Sequence, residues 1–543
     1  MKYLKRVLLI TLIVVFSIVA TWIIFKKYYL DDMVQDRIEQ SIAAHIENDF
    51  HFSFDDININ LISSNVKFRG INLLLFSQTD TIGHFKGDIL IHLKGWRNII
   101  FDNQKIITDL VLEKTDIYYA KDYPLTIKNK VGTNDQEVVI TNINVTGNLH
   151  FAEFHNKQNG KLTTNFDFAS ALNFKSNNDF NLGNLIKQVK RFEVTQLQYY
   201  MPDGFYQVKI TEIEFDRLND LQMKQIVINP IDSKKTFAEK KKVATDFISV
   251  CIDSIQLMDF EKQLNEQIYI DKIQVFQPNF DVYKDKNFPE NTEYKAILID
   301  LFGDLKTPIH IKTMELNNMF IKYTELANQA KEAGELYFSD ANATISNITN
   351  VKDSLQLSHN ILITAEAKFY GVGMLKTTMR YKVLSKSGQF DIRGSLGAMS
   401  IKEVNKIISK LVPVKVNRGQ LENLQFNFSG TRKHSEGEMR FKYSDLNIEL
   451  LEVDFINSDF TKKAISRLGN MVMRNANPSG NRVFKIGEIK KDRNANKSMF
   501  NYWWVSLQSG FLSTLGVTAE KQKINYNSGE PVTFVDKIGL GDK

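Results

Sequence analysis

The residues best able to do chemistry are scattered along the chain rather than grouped. The nine histidines form neither an HxH nor an HExxH pattern and none pairs with the single cysteine, so no zinc site is predicted. Gly371-Val372-Gly373 is followed by Lys376 where a dinucleotide-binding loop needs glycine. The sequence also lacks a Gly-Lys-Ser/Thr phosphate loop and a Gly-x-Ser-x-Gly nucleophile turn.

Two weaker patterns have structural explanations. Ser64 and Lys67 match Ser-x-x-Lys, but they lie in an alternating strand, whereas that catalytic motif opens a helix. The acidic pairs Asp31-Asp32 and Asp55-Asp56 stand at element ends, where carboxylates cap helices and solvate turns. We therefore predict no catalytic, cofactor-binding or metal-binding residue and no enzyme activity. A hydrolase whose catalytic groups lie far apart in the sequence is the least favoured alternative.

Composition narrows the class of protein further. The formal net charge is +6 over 543 residues, and no basic stripe with interleaved aromatic residues occurs, so nucleic acid is not an expected partner. Cys251 is the single cysteine, which excludes an internal disulfide. Its neighbours are apolar, so we predict a buried structural thiol.

One segment has the length and composition of a membrane anchor. Val7–Phe25 holds nineteen uncharged, mostly apolar residues, which as a helix would span about 28 Å, close to the thickness of a bilayer's hydrocarbon core. A cleaved signal peptide is the alternative, but its apolar region is usually shorter and ends in a small-x-small site. The residues predicted to mark the anchor are Val7, Phe16, Trp22 and Phe25.

The flanking charges predict the orientation of that anchor. Three basic residues precede it, whereas Lys26 and Lys27 follow it and are themselves followed by acids. The positive-inside rule therefore places the N-terminus in the cytoplasm by a narrow margin. Everything after residue 30 would then lie outside the cytoplasm, in the periplasm of a two-membrane bacterium.

Periodicity predicts one helix and then many strands. Apolar residues recur every fourth position from Val34 to Phe50, which indicates a helix directly after the anchor. From Phe52 onward apolar and polar residues alternate, which is typical of antiparallel strands with one apolar and one wet face. Shorter helices are predicted at Phe237–Ala244 and Ile401–Leu411.

Two further helices are predicted near the C-terminus. One covers about Asp459–Arg474, and the other carries an aromatic stripe of Phe500, Trp503, Trp504, Leu507 and Phe511. We expect that stripe to dock onto a sheet, with a membrane-surface helix as the alternative. The lysines at 240–242 are interpreted as a solvated helix face, with a lipid-headgroup patch as the alternative.

A weak internal repeat runs through the strand region. Three segments, beginning at Ile107, Ile270 and Ile311, place apolar or aromatic residues at relative positions 0, 3, 5, 10 and 12. Because the first step breaks a period of two, we expect a bulge there that returns the next side chain to the same face. Polar or turn residues fill the gap between positions 5 and 10, so each copy is predicted as strand, turn, strand.

Together these features resemble the AsmA-like family of bacterial envelope proteins. The resemblance rests on the basic N-terminus, the anchor, the first helix and several later segments, and it is thin between about 120 and 240. The segments are Gly87–Trp96, Ile106–Tyr119, Arg418–Leu421, Phe426–Thr431, Gly437–Leu446, Asn475–Pro478 and Phe500–Trp504.

The resemblance implies a fold and a function. The expected fold is mainly β with peripheral helices (α+β). An N-terminal transmembrane helix would be followed by an elongated, curled antiparallel β-sheet with a hydrophobic concave face, similar in style to TamB and chorein-type lipid bridges. The expected function is that of an inner-membrane-anchored periplasmic protein that binds or transfers phospholipid along this groove and supports outer-membrane lipid homeostasis.

These expectations assign four regions and a set of partners. Residues 1–30 would be the cytoplasmic N-terminus and anchor, 31–330 the first helix and β-groove repeats, 331–455 a C-terminal β-rich part, and 456–543 the C-terminal helices and polar tail. The expected partners are phospholipid acyl chains and the inner membrane. Other envelope proteins and a second copy of the chain are further candidates.

Six repeat residues are predicted to share one face and to line the groove. They are Leu110, Leu112, Ile273, Val275, Met314 and Leu316. Two alternatives stay open at this point. The apolar face could be a closed core packed under helices, and the protein could be a non-transporting envelope scaffold that affects outer-membrane biogenesis.

Overall fold

The computed structural model describes residues 31–45, 49–77, 80–102, 104–120, 137–155, 158–170, 174–175, 189–216, 220–262, 268–297, 300, 308–351, 360–383, 385, 387–411, 414–451, 474–480 and 483–516. The chain separates into two compact units, Met1–Leu218 and Asn219–Lys543. Strands dominate both units and the helices are short, which confirms the mainly β prediction.

The first unit is a sheet with two described helices. Its strands are β1 Asp49–Ser53, β2 Asp56–Asn60, β3 Asn65–Ser77, β4 Asp80–Leu93, β5 Gln104–Ala120, β6 Glu137–His155, β7 Gln158–Ser170, β8 Phe174–Lys175, β9 Val189–Tyr200 and β10 Tyr206–Asp216. Helix α1 is Asp31–His45 and helix α2 is Trp96–Phe101. β1 and β2 both pair with β3, and the sheet continues β4–β5–β6–β7–β9–β10, with β8 also on β6.

Helix α1 covers the first strands of this unit. Val34, Ile38 and Ile42 lie one turn apart on the helix and pack against a buried cluster that includes Phe52 and Phe68. An amphipathic helix placed in this way removes apolar strand residues from water, which stabilises both elements. The sequence predicted this helix to run on to Phe50, but the described helix is Asp31–His45 and Phe50 lies in β1.

The second unit contains most of the strands. They are β11 Asp220–Pro230, β12 Asp246–Lys262, β13 Ile268–Phe276, β14 Asn279–Asp285, β15 Ile309–Leu326, β16 Gly334–Thr349, β17 Asn360–Phe369, β18 Gly373–Lys382, β19 Phe390–Leu396, β20 Met399–Ser400, β21 Val414–Gly430, β22 His434–Leu450 and β23 Gly487–Asp492. Its described helices are α3 Lys234–Lys241, a 3₁₀ turn Ile401–Val404, α4 Asn405–Leu411 and α5 Met499–Leu515. The predicted helix at 459–474 lies outside the described residues, apart from its last residue.

The strands of this unit pair in chain order. β11 pairs with β12, and β13 and β14 lie end to end between β12 and β15. The order then runs β15–β16–β17–β18–β19–β21–β22–β23, with β20 also on β21. Most pairs are antiparallel, but β13 and β14 are parallel to β15, and β5 is parallel to β6. The sheet is therefore mixed, which corrects the prediction of a purely antiparallel one.

Helix α5 closes the C-terminal end of the second unit. Ser498 caps its start by accepting a hydrogen bond from the Asn501 amide, and Gly516 ends it in the left-handed conformation. The amides of Glu488 and Lys490 in β23 donate to the hydroxyls of Ser513 and Ser509 at 2.9 and 3.0 Å. The helix thus satisfies part of the outer edge of the last strand, which would otherwise be open to pairing.

One prediction about side-chain burial was wrong, and a second was right only in part. Cys251 is exposed, because its strand alternates and places this side chain on the wet face. The predicted stripe of α5 docks only in part: Trp503, Leu507 and Phe511 pack against the core of the sheet beside the buried Tyr502 and Val505, whereas Phe500 and Trp504 are exposed. Gly510 lets the helix backbone approach the sheet closely, because a Cβ at this position would crowd Ile489.

The irregularity in the repeat lies mainly at a different position from the predicted one. Lys114, Gln277 and Asn318 stand seven residues after Ile107, Ile270 and Ile311, and each has a left-handed backbone with φ of 53°, 49° and 53°. β5 gains an extra residue there relative to β6, between Leu112 and Thr115. β5 and β15 remain continuous strands, so the predicted turn is a bulge in these copies and a true break only between β13 and β14.

Candidate functional site

Strands β6 to β10 of the first unit have one face made mostly of apolar side chains. In β9 this face carries Phe192, Val194, Leu197 and Tyr199, while Arg191, Glu193, Thr195 and Gln198 alternate onto the other face. The step from 194 to 197 keeps one face because Gln196 bulges, with φ of 54°.

The pairing register aligns apolar side chains of neighbouring strands into a row that crosses the sheet of the first unit. Each member stands directly opposite the next one on the neighbouring strand, from β2 to β10. The members of this apolar row are Ile57, Phe68, Ile89, Leu112, Val145, Phe168, Phe192 and Phe215. Directly opposite pairs lie on the same face, so the row is one continuous apolar band.

A second band runs beside the first on the far side of the bulges. It consists of Tyr119, Phe151, Leu162, Tyr199 and Val208. In β6 and β7 the two bands are six residues apart, and in β5 and β9 they are seven apart with one bulged residue between them. At about 3.3 Å per residue the bands are about 20 Å apart along the strands, and apolar residues such as Leu149 and Ile213 fill the space between.

The environment of the apolar row changes along its length. Ile57 and Phe68 are buried beneath α1, but the six members from Ile89 to Phe215 are only half-buried. Within the described residues, no helix packs extensively on β6, β7, β9 or β10. This region is therefore an apolar sheet face that the described part of the chain leaves open.

The opposite face of the same strands is ionic. Arg191 pairs with Asp167 at 3.2 Å, and Asp116 lies 3.5 Å from His84 and 3.3 Å from His150. In the second unit, Lys272 contacts Glu315 at 2.9 Å. Because one face is charged and hydrated, the apolar face is the one whose exposure to water is unfavourable.

A polar group marks the border of the apolar face. The hydroxyl of Tyr199 donates to a carboxylate oxygen of Glu153 at 3.0 Å. Burial, and secondly this contact with Glu153, raise the pKa of the Tyr199 hydroxyl. The tyrosine therefore stays a neutral donor at physiological pH, with its ring on the apolar side.

A cleft between α1 and the sheet extends the apolar surface. Its volume is about 540 Å³, and it is lined by Met33, Val34, Arg37, Ile38, Ser41, Ile42 and Phe68. The side chains of Met33 and Arg37 are exposed, so the cleft opens to solvent beside a basic group. An apolar cleft with one cation at its border matches an amphipathic anion better than a neutral molecule.

The structure separates the six predicted groove residues into two sets. Leu110 and Leu112 lie in β5, opposite Ile91 and Ile89, and Leu112 belongs to the apolar row. Ile273, Val275, Met314 and Leu316 pack together in one cluster of the second unit. Ile270 joins that cluster with Ile273, so repeat positions 0 and 3 share one face there.

The predicted anchor lies outside the described residues. Val7, Phe16, Trp22 and Phe25 all belong to that segment. Among the helices of the described residues, none is long and apolar enough to cross a membrane.

Sequence reasoning missed most of the apolar face. It found Leu112 but not Val145, Phe168, Phe192 or Phe215, because no full copy of the repeat passes through β6 to β10. The available signal was simple alternation, such as Phe166 with Phe168 and Phe192 with Val194.

The described residues contain no group of three or more His, Cys, Asp or Glu side chains placed to hold a metal ion. Comparison of the chain with protein-family models, curated proteins and solved structures gave no match.

Proposed function

We propose that the protein binds the acyl chains of membrane phospholipid on the open apolar face of its first unit. The observation that carries this proposal is the in-register row from Ile89 to Phe215, which is apolar, half-buried and without an extensively packed helix within the described residues. A contiguous apolar surface of this kind is unfavourable in water and indicates an apolar partner.

Phospholipid fits this surface better than a small apolar ligand. The surface is an extended band rather than an enclosed cavity, and a flexible acyl chain can lie along such a band. The cleft beside Arg37 provides a cation next to apolar side chains, which suits a molecule with an anionic head and an apolar tail. The anchor predicted at Val7–Phe25 would keep this surface close to a membrane.

The proposed biological setting is that of the AsmA-like family. The chain would be anchored in the inner membrane by one helix, with its bulk in the periplasm as an elongated, curled sheet whose concave face is apolar. Transfer of phospholipid along this face would support outer-membrane lipid homeostasis. Protease added to spheroplasts should then degrade the bulk of the chain and leave a small membrane fragment.

A matched pair of substitutions tests lipid binding. Leu112→Asp places a carboxylate in the apolar row, whereas Val111→Asp places the same group on the opposite face of the same strand, opposite Asn144. A charge among acyl chains loses its hydration without compensation, so Leu112→Asp should lower the bound lipid several-fold and Val111→Asp should not. The measurement is mass spectrometry of phospholipid bound to the detergent-extracted full chain, with thermal stability followed on the same sample.

The two readouts separate the candidate functions. Lower lipid content with an unchanged melting temperature supports the open groove. If Leu112→Asp unfolds the protein, the face is a closed core. If the wild-type chain carries no phospholipid, lipid binding is wrong and the envelope scaffold becomes the better function.

A further inference from the structure

Two neighbouring connections at one end of the first unit expose large apolar side chains. In the β2–β3 turn, Leu61 is 63% and Ile62 is 99% exposed, and at the end of α2 Phe101 is 76% exposed. Isolated exposed apolar residues are common on protein surfaces, but three at adjacent loop ends are not. We call the turn at 61–64 together with α2 the apolar tip.

The backbone places both parts of the apolar tip at the same end of the sheet. The amide of Leu93, at the end of β4, donates to the carbonyl of Ser64 at 2.9 Å. The next residue, Lys94, donates to the carbonyl of Ile106 in β5 at 3.0 Å. α2 therefore begins beside the β2–β3 turn, about two strand spacings, or about 10 Å, from it.

Each part is held in shape by an asparagine side chain. The Asn60 side-chain oxygen accepts from the amides of Ile62 and Ser63, both at 3.0 Å. Buried Asn98 accepts from the Ile106 amide at 2.7 Å and donates to the Asp102 carboxylate at 2.8 Å. The apolar side chains are thus presented on fixed turns, so little further ordering is needed for a partner to bind them.

Basic groups surround these apolar residues. Lys94 and Arg97 are exposed, and the Lys105 ammonium donates to the carbonyl of Asp102. Between Lys94 and Lys105, Asp102 is the one acidic residue in the sequence, so this segment has a net positive charge. A tip that combines bulky apolar side chains with a net positive charge matches the interface of a bilayer that contains anionic lipid. A protein partner would more often present a concave apolar pocket, which is an outcome that the test below also detects.

We propose that the apolar tip inserts into the interface of an anionic bilayer, with Leu61, Ile62 and Phe101 among the lipid headgroups and upper acyl chains. This contact would be separate from the predicted anchor and would fix the first unit against the membrane surface. It rests on the membrane location in the proposed function, but not on lipid binding by the apolar row.

A fluorescent label at the tip tests this contact in the full chain. Cys251 is exposed and would also be labelled, so the background is Cys251→Ser. An environment-sensitive dye is attached to Ile62→Cys and, as the control, to Val372→Cys, a 57% exposed residue in the β17–β18 turn. Each protein is reconstituted into vesicles of phosphatidylcholine and phosphatidylglycerol, with or without brominated acyl chains.

The proposal predicts opposite behaviour at the two positions. The dye at 62 should be quenched by brominated lipid and protected from aqueous iodide, and the dye at 372 should show the reverse. If the chain floats with the vesicles while the dye at 62 stays open to iodide and unquenched by lipid, the tip proposal is overturned and the anchor stands. If the chain does not float with vesicles, the anchor and the tip both fall.

A charge variant tests the basic component. Lys94→Glu combined with Arg97→Glu should reduce lipid quenching at 62 in vesicles that contain phosphatidylglycerol, with little change in pure phosphatidylcholine. Both side chains are exposed, so the fold should tolerate the change. Unchanged quenching in the anionic vesicles would overturn the role of these two residues. Protection from iodide without lipid quenching would overturn insertion, because the label would then be covered by protein, here a second copy of the chain.

Discussion

The apolar faces of strands β6–β10 and of strands β18–β23 are built from similar side chains but meet different surroundings. The second unit has its own in-register row near the C-terminus, in which Ile392 of β19 stands opposite Phe428 of β21, and Gly437 of β22 separates Phe428 from Ile489 of β23. Ile392 and Phe428 are 2% exposed and Ile489 is 0% exposed, whereas Phe168 and Phe192 in the first unit are half-buried.

Helix α5 explains the difference. Tyr502 and Val505 belong to its docking face and are buried, and Tyr502 packs in the same cluster as Ile392, Phe428 and Ile489. Burial raises the pKa of Tyr502 to about 12, as expected for a hydroxyl in a dry core. The same strand pattern therefore gives a closed core where a helix covers it and an open face where none of the described helices does, so the sheet pattern alone does not determine the function.

The largest expected difference between the two faces is in their tolerance of a buried carboxylate, introduced at one position in each face. Phe428→Asp buries a carboxylate in a closed core, which should lower the free energy of unfolding by at least about 4 kcal/mol. Phe168→Asp in the open face should lower it by only about 1 kcal/mol, because that side chain can reach water. Hydrogen-exchange mass spectrometry of the detergent-solubilised chain should show lost protection in β21–β23 for the first variant alone.

If Phe168→Asp unfolds its strands to the same extent, the two faces are equivalent and the first unit has no open groove. Asp167→Asn, on the opposite face of β7, is the control for a change of charge in that strand, and should leave hydrogen exchange in β6–β10 nearly unchanged.

A smaller substitution should expose part of the closed core by moving α5 away from β23. A Cβ added at Gly487 would clash with the Thr514 hydroxyl and the carbonyl oxygen of Gly510 in α5, so Gly487→Ala forces the helix away from β23. We expect a loss of about 1–3 kcal/mol and increased binding of a hydrophobic dye. Gly480→Ala, where no atom lies within 4 Å of the added carbon but φ is 56°, separates backbone strain from the helix contact. Equal dye binding in both variants would contradict this role of Gly487.

The residues with a left-handed backbone in the repeat copies are a third point of comparison. Gln277 has φ of 49°, which is unfavourable for a β-branched residue, so Gln277→Val should destabilise the second unit by about 1–2 kcal/mol. Gln277→Gly relieves the same strain and should be neutral or slightly stabilising. Thermal unfolding ranks the three proteins, and a stable valine variant would show that this position is not held in the left-handed conformation.

Most helices and strands could be predicted from the sequence, but the way in which the strands pair could not. Alternation predicted strands in both units, and the fourfold spacing from Val34 predicted α1 except for its end. The parallel pairing of β5 with β6 could not be predicted, because alternation favours antiparallel strands and a single parallel pair within such a sheet keeps the same alternation. The exposure of Cys251 was predicted wrongly since apolar neighbours in sequence lie on alternate faces of a strand.

The candidate site was only partly predictable for a related reason. Leu112 was found because a full repeat copy passes through β5, where the apolar spacing and the bulge coincide. Whether an apolar face is open or closed depends on helices far away in the sequence. Leu112 and Phe428 both read as apolar strand residues, and only the position of α5 distinguishes their environments.

The smallest predicted effect concerns the wet face, which should account for pH dependence that the apolar faces lack. His310 stacks on Tyr269 with ring centroids 5.3 Å apart, and burial lowers the pKa of its imidazole below the usual value. The unfolded chain then binds more protons, so stability is fully present above about pH 6.5 and falls as the pH drops towards the folded-state pKa. His310→Phe keeps the stack and removes the titration, so its melting temperature should fall less between pH 7 and pH 5. The Lys312 ammonium lowers the pKa of Asp271, and the Lys272 ammonium lowers the pKa of Glu315. Both carboxylates therefore stay ionised between pH 7 and pH 5 and do not contribute to the change in melting temperature over this range. An identical pH dependence in the wild type and the variant would contradict the assignment to His310.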